Sequence, residues 1–110
     1  MTYFIEDVKK IVPKNIPELI SPLALAVWFM DDGNVLRWRK SVTGYHINSQ
    51  SFSQEENELL VKTLKAKFGI VSSLQHNHGK FRIYIRAESK LNFQDLVRNF
   101  MLPSMMYKLG

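Results

Sequence analysis

The sequence predicts a single α+β domain in which a four-stranded antiparallel sheet carries helices on one face. Two pairs of short segments alternate between apolar and polar residues, which is typical of β-hairpins, and three helix patterns lie before, between and after them. The predicted order is αββαββα. The 110 residues, with a hydrophobic content of 45%, suit one core. We expect residues 1–20 to form an N-terminal arm, in which Pro13 and Pro17 stop any helix, and residues 21–110 to form the domain.

The first helix is predicted to begin after Ser21, a favoured N-cap residue, with Pro22 at the first helical position. Residues 23–30 are almost wholly apolar, and Gly33 is expected to end the helix. A helix that is apolar on nearly every side has to be buried on nearly every side, which indicates a partner surface for it.

Two hairpins are predicted from alternating residues. The first joins residues 35–39 to residues 45–50 through a turn at residues 43–44, and the second joins residues 70–75 to residues 80–86. Since side chains alternate across a strand, each hairpin has an apolar face for the core and a polar face for its surroundings.

The remaining helices are marked by their capping residues. A capping-box pattern from Ser53 to Glu56 predicts the start of the second helix, and Gly69 predicts its end. The third helix is predicted to begin at Ser89 and to end before Pro103. Both helices carry an apolar side that suits the same face of the sheet.

The face of the sheet opposite the helices is predicted to be cationic. It is expected to carry Arg37, Arg39, His46, Asn48, Gln50, Lys80, Arg82, Tyr84 and Arg86. Cations bind phosphates, and Arg, Asn and Gln contact base edges in the major groove. Together with the net charge of +5, this face predicts a nucleic-acid partner. The alternative is a solvated face with a chance excess of positive charge.

Two acids, Asp31 and Asp32, lie at the C-terminal end of the first helix. The helix dipole is negative there, so each carboxylate is unfavourable by roughly 0.3–1 kcal/mol. A divalent cation such as Mg²⁺ would offset this, because it binds carboxylate oxygens and bridges them to phosphate. The alternative is that Asp32-Gly33 is only a turn signal.

Residues 25–33, Leu-Ala-Val-Trp-Phe-Met-Asp-Asp-Gly, resemble the nine-residue motif of the LAGLIDADG homing endonuclease family. Further similar segments follow the same order, at residues 10–16, 50–53, 102–103 and 106–109. The chain resembles the C-terminal half of two-motif enzymes encoded in organellar introns, and the resemblance implies their saddle-like sheet. It departs from the pattern at Val27, where the motif usually has glycine.

The resemblance implies a metal-dependent DNA endonuclease that uses Mg²⁺ or another divalent cation. Asp32 would bind the metal beside the scissile phosphate, with the backbone carbonyl of Asp31 contributing. Gln50 matches a glutamine that orders the attacking water, and Lys108 matches a lysine near the cleavage site. Lys10 matches a lysine that closes the preceding half in two-motif enzymes. The basic face would then contact double-stranded DNA.

The resemblance also implies a second LAGLIDADG domain, because the motif helices of two halves pack against each other. Pro22, Leu25, Ala26 and Phe29 are the expected contacts. This chain has one motif, so it acts either as a homodimer or as half of a larger enzyme; two copies would bind a roughly palindromic target.

Other functions remain open or are excluded by composition. The absence of cysteine excludes disulfides, thiolate zinc sites and a thiol nucleophile. We expect no membrane and no small-molecule substrate, and the resemblance implies an organellar location. One alternative function is a non-cleaving nucleic-acid-binding module of the same fold, such as an RNA maturase, a splicing factor or a DNA-binding regulator. Another is an inert half-domain.

Overall fold

The computed structural model describes residues 5–6, 9–10, 15–50, 52–77 and 79–110. Its helices and strands are β1 (Ile5–Glu6), β2 (Lys9–Lys10), α1 (Ile16–Leu19), α2 (Pro22–Asp32), β3 (Gly33–Trp38), β4 (Ser41–Asn48), α3 (Gln54–Phe68), β5 (Ser72–Asn77), β6 (Lys80–Ile85) and α4 (Lys90–Val97). Short 3₁₀-helices cover Ala87–Ser89, Arg98–Phe100 and Pro103–Leu109. Strands β3 to β6 form one antiparallel sheet in the order β3-β4-β6-β5, which confirms the predicted fold class.

The core lies between one face of this sheet and helices α2, α3 and α4. The sheet contributes four fully buried side chains, Tyr45, Ile47, Ile83 and Ile85. Phe29 of α2 packs edge-on against Tyr45 and Phe93, with ring centroids 5.4 Å and 5.0 Å away. Such edge-to-face pairs add to the stabilisation from burial alone. No helix in the described ranges is both long and apolar enough to span a membrane.

Helix α2 has the predicted ends. The Ser21 hydroxyl accepts a hydrogen bond from the Ala24 amide at 3.1 Å, and the helix ends at Asp32. Gly33 does not adopt the left-handed cap conformation, since its φ is −98°. Glycine is required there by close packing, because a Cβ atom would lie 2.6 Å from the Phe29 carbonyl oxygen and would also overlap the Phe29 ring.

The segment expected to be an arm contributes to the core at its C-terminal end. Ile16 and Ile20 are each only 1% exposed, and α1 lies beside α3. Pro17, which was expected to stop a helix, occupies the first turn of α1. The missing proline amide costs nothing at that position, because the first helical amides have no partner within the helix. Pro13 lies outside the described residues.

The first hairpin turns earlier than predicted. The turn is at Arg39 and Lys40, and Arg39 adopts a positive φ of 57°. Gly44, predicted to be in the turn, instead lies within β4. Its place is explained by the neighbouring strand β6, since a Cβ atom on Gly44 would lie 2.5 Å from the Ile85 carbonyl oxygen.

A β-bulge in the first hairpin changes which face its side chains occupy. Leu36 pairs with Gly44, whereas the next residue, Arg37, pairs with Val42, so Thr43 has no partner in β3. Because paired residues share a face, Leu36 lies on the polar face and Arg37 lies on the helix side. A bulge depends on pairing between strands, which the alternation of one strand does not reveal.

The predicted N-terminal cap is present at α3 and absent at α4. Ser53 and Glu56 form the complete capping box that begins α3, and Gly69 ends that helix with a left-handed φ of 69°. Ser89, predicted to cap α4, makes no capping hydrogen bond. Its buried hydroxyl instead accepts from the Val71 amide at 2.8 Å, which joins the start of α4 to the chain before β5.

Candidate functional site

The acidic end of α2 leads directly into the sheet. Asp31 is exposed, Asp32 is half-buried, and β3 begins at the next residue without a loop. Asn34, two residues beyond Asp32, pairs with His46 on the polar face. The two acids therefore directly precede, in the chain, the face that was predicted to contact nucleic acid.

Lys108 supplies a cation to the same helix end. The 3₁₀-helix Pro103–Leu109 returns to α2, and Lys108 Nζ donates to the carbonyl oxygens of Met30 at 2.6 Å and Gly33 at 3.1 Å. The last turn of α2 contains no basic residue of its own. The unfavourable charge at this end is therefore offset partly by the chain itself, and Lys108 lies at the helix end that carries the predicted metal-binding acids.

Buried hydrogen bonds fix the segment that carries Lys108. The Tyr45 hydroxyl donates to the carbonyl oxygen of Leu109 at 2.7 Å, and the Gln94 amide donates to the Tyr45 hydroxyl at 2.5 Å. Burial raises the pKa of Tyr45, and its hydrogen bond with Gln94 opposes that rise only in part. The phenol therefore stays neutral and keeps its proton for the bond to Leu109.

Replacing Lys108 should destabilise the fold. Lys108→Met removes the one ammonium group that donates to both partly buried carbonyl groups, and a hydrogen bond to a charged group contributes about 1.5–3 kcal/mol. We expect the free energy of unfolding in urea to fall by about 1–3 kcal/mol. Lys65→Met, on an exposed face of α3, is the matched control and should change it little. Equal stability of the two variants would contradict this role.

The oxygen atoms at the end of α2 can supply some, but not all, of the ligands that a hard divalent cation needs. The Asp32 carboxylate and the Asp31 carbonyl are oxygen donors of the kind that Mg²⁺ prefers. The described ranges contain no cluster of three or more His, Asp or Glu residues suited to a metal. One chain thus offers part of a coordination shell, and phosphate, water or a second chain has to complete it.

The structure describes the side chain of Gln50, the third residue of the predicted catalytic set, but only the backbone of Lys10, the fourth. Gln50 was expected late in a strand, but β4 ends at Asn48 and Gln50 lies in the following turn, where its amide donates to the Asn48 side chain at 3.3 Å. Lys10 belongs to β2, where its backbone pairs with Ile5. The Lys10 side chain lies outside the described part of the structure.

The polar face of the sheet is assembled by cross-strand pairing. Residues on this face are Asn34, Leu36, His46, Asn48, Ser73, Gln75, Lys80, Arg82 and Tyr84. Five of them, His46, Asn48, Lys80, Arg82 and Tyr84, were predicted to lie there. Ser73 and Gln75 were missed, although strand periodicity in β5 would have found them. Asn34 was also missed, because Arg37 was expected on this face and the alternation of β3 then places Asn34 on the other one. Strands β3 to β6 contain no acidic residue, so the strands themselves supply no counter-ion to the cations of this face.

Three predicted cations are not on this face. Arg37 follows the bulge, and its Nη2 atom would lie 3.6 Å from a Cβ atom on Gly110, on the helix side. Arg39 is in the hairpin turn, with its guanidinium 5.7 Å from the ring centre of Trp38. Arg86 lies beyond the end of β6 and forms an exposed ion pair with Glu88 at 3.1 Å. The face therefore has two fixed positive charges in place of five, and a DNA-binding role for these three arginines stays a prediction.

A buried histidine lies within the polar face. His46 is 8% exposed, its Nδ1 atom is 3.0 Å from Arg82 Nη1, and its ring packs edge-on against Tyr84 at 5.7 Å. Burial is the main cause that lowers the pKa of His46; the Gln75 side chain raises this pKa, and the charge of Arg82 lowers it further. The ring is therefore neutral at physiological pH.

The predicted helix contacts with a second domain need correction. Leu25, Ala26 and Phe29 are each 0% exposed, because they pack into the core of this chain, and only Pro22 of the predicted set is accessible. The sequence alone could not separate the two uses of an apolar helix. The accessible side of α2 carries Leu23, which is 46% exposed, and the half-buried Val27 one turn later.

Comparison with known proteins agrees with this arrangement. Residues 1–93 match the model of the LAGLIDADG DNA endonuclease family. A probable intron-encoded endonuclease from Wickerhamomyces canadensis is 36% identical over 97% of this chain and 48% of its own length. A cytochrome b mRNA maturase from Saccharomyces cerevisiae is 34% identical over 92% of this chain and 23% of its own length.

A solved structure has the same fold. The homing endonuclease I-WcaI, bound to its DNA recognition sequence, superposes with a TM-score of 0.86 at 35% identity, over 98% of this chain and 49% of that chain. The chain thus spans about half the length of these endonucleases and less of the maturase. The family match, the relatives and the shared fold lead to one conclusion: the chain belongs to the LAGLIDADG DNA endonuclease family.

Proposed function

We propose that this chain is the DNA-cleaving domain of a homing endonuclease, which hydrolyses phosphodiester bonds of double-stranded DNA with a divalent cation. The observation that carries the proposal is the direct passage from Asp32 through Gly33 into the polar face of the sheet. A duplex lying on that face would bring its backbone to the acidic end of α2. A relative of known structure is described as bound to its DNA recognition sequence, which supports DNA as the partner of this chain.

The polar face offers both kinds of contact that DNA recognition needs. Lys80 is exposed at the start of β6 and suits a phosphate, whereas Arg82 and Asn48 pair across the strands and suit base edges. The strands supply no acid that would repel the phosphates. We therefore assign phosphate binding to the edge of this face and base contact to its centre.

The cleavage step would use the residues at the end of α2. Asp32 and the Asp31 carbonyl would hold Mg²⁺, which supplies Lewis-acid polarisation of the phosphate and a bound water of lowered pKa. The Gln50 amide would orient the attacking water. Lys108 holds the last carbonyl groups of α2 and adds positive charge where negative charge develops. Lys10 remains a further candidate from the preceding segment.

A second domain is needed to cut both strands, because one chain offers one Asp32. We assign the contact to Leu23 and Val27, which lie four residues apart on the accessible side of α2. The motif usually has glycine at the position of Val27, where two helices approach each other. The partner is a second copy of this chain or the missing half of a larger enzyme.

Molar mass in solution, measured by light scattering with and without Mg²⁺ and duplex DNA, should test this arrangement. If the partner is a second copy of this chain, we expect twice the mass of one chain, together with Mg²⁺-dependent nicking of supercoiled plasmid. Leu23→Asp should yield monomers, since a charge in an apolar helix contact is costly. Leu91→Asp, at a site 66% exposed on α4, is the matched control and should keep the dimer. A monomer that neither binds nor nicks DNA would contradict the proposal.

The second candidate is a non-cleaving RNA maturase or splicing factor of the same fold, from an organelle. It is favoured by one observation, the similarity to a protein named cytochrome b mRNA maturase. Splicing of an intron transcript in the presence of the chain, unaffected by Asp32→Asn, would support it. Metal-dependent nicking that this substitution abolishes would support the endonuclease.

A further inference from the structure

The hydrogen bond between His46 and Arg82 fixes the protonation of the histidine. A guanidinium is always charged and offers only donors, so His46 Nδ1 has to be the acceptor at 3.0 Å. The imidazole is then neutral and carries its proton on Nε2. The Nε2 atom is buried and makes no hydrogen bond of normal geometry to any described residue. The nearby Gln75 side chain raises the pKa of the ring, but burial lowers it by more.

We propose that His46 is a positioning residue that, through its unprotonated Nδ1, orients the Arg82 guanidinium toward a base of duplex DNA and releases it when the ring is protonated. The inference rests on the proposed DNA-binding function of the polar face. If the inference holds, the base preference that Arg82 provides depends on pH, whereas the contacts made elsewhere on the face are independent of pH.

The geometry supports a holding role. The contact to His46 occupies Nη1, and the Nε and Nη2 donors form the other edge of the guanidinium, which matches the two acceptors of guanine. An arginine held in one orientation loses less conformational freedom on binding than a free one. Arg82 is partly buried, which agrees with a side chain that lies along the face.

The groups around His46 favour its neutral form. The ring faces Arg82 and the phenol of Tyr84 on β6, Gln75 on β5 and Asn34 on β3. Among these, Arg82 carries the only fixed charge, and it is positive. A proton on Nδ1 would replace the acceptor with a second donor beside that charge, so acid should break the contact.

The test is a selection from a randomised duplex pool by the full chain, at about pH 8 and about pH 4.5. The lower value lies well below the ordinary histidine pKa, because burial lowers the pKa of His46. Wild-type protein should prefer one base by about tenfold at the higher pH and lose that preference at the lower pH. His46→Leu and Arg82→Lys should lack the preference at the same position at both values. His46→Asn should keep it at both, because its amide oxygen accepts from Arg82 and does not titrate.

The outcomes separate the inference from the proposed function. If Arg82→Lys loses the base preference but His46→Leu keeps it in full, the inference about His46 is overturned and the proposed DNA-binding function is not. A wild-type chain that binds no duplex and selects no sequence would overturn both. A measurement on the wild type needs no variant: imidazole nitrogen chemical shifts should show a neutral ring protonated on Nε2 at about pH 8, and a proton on Nδ1 would overturn the inference.

Discussion

Asp32→Asn should reduce the rate of plasmid nicking in Mg²⁺ by about a thousandfold or more, because metal-assisted charge stabilisation contributes several kcal/mol to the transition state. The substitution keeps the size of the side chain and removes its charge. Affinity for duplex DNA should stay close to that of the wild type, since the polar face that we assign to binding is unchanged. Nicking of supercoiled plasmid and a filter-binding measurement on the same protein would check both parts.

The matched control is Asp95→Asn, the same chemical change on the exposed side of α4. Asp95 forms only a surface ion pair with Arg98 at 3.4 Å, so neither nicking nor stability should change appreciably. Loss of DNA binding in Asp32→Asn, with unchanged cleavage of the residual complex, would contradict a metal-binding role. Equal unfolding midpoints for both variants would show that any loss of nicking is not a loss of fold.

Phe29→Ala should cost about 3–5 kcal/mol of stability, the range for removing a buried aromatic ring from a core. Phe29 is fully buried, and its ring contacts both Tyr45 and Phe93 edge-on. Because the close approach of Gly33 to this ring fixes the direction in which β3 leaves α2, we also expect the acidic helix end to lose its position. Urea unfolding monitored by fluorescence would measure the loss.

Leu91→Ala is the control for Phe29→Ala. Leu91 is 66% exposed on α4, so its truncation should change stability by no more than about 0.5 kcal/mol. If Phe29→Ala were as stable as this control at low protein concentration, Phe29 would not be a core residue. The sequence-based assignment of Phe29 to a domain interface would then be reinstated.

Local signals in the sequence predicted local structure well. Ser21 and Pro22 gave the start of α2, and the capping box from Ser53 to Glu56 gave the start of α3. In each case the residues that predict the helix start lie within four residues of the hydrogen bonds that they make. The alternation along Lys80–Ile85 likewise placed its residues on the correct faces, because both neighbouring strands pair with β6 in regular register.

Features that depend on distant contacts were not predictable in the same way. Lys108 and Met30 are joined by a hydrogen bond across 78 residues; no local pattern connects them, and only the resemblance placed Lys108 near the end of this helix. The bulge at Thr43 moved Arg37 off the polar face, because pairing between β3 and β4 overrode simple alternation. Leu25 and Ala26, which the resemblance assigned to a partner domain, lie in the core of this chain, and an apolar helix suits an interface and a core equally well.

The bulge at Thr43 also divides the first hairpin into two parts that can vary separately. Beyond it, the tip formed by residues 37–42 is anchored by its own pairs, whereas Tyr45 to Asn48 keep their register with β6. Substitutions at the exposed tip residues Trp38 to Ser41 therefore leave the core side chains Tyr45 and Ile47 in place, whereas Val42 packs against the core. A protein engineer, or natural selection, could exchange these four residues and change what the edge of the sheet contacts without altering the core.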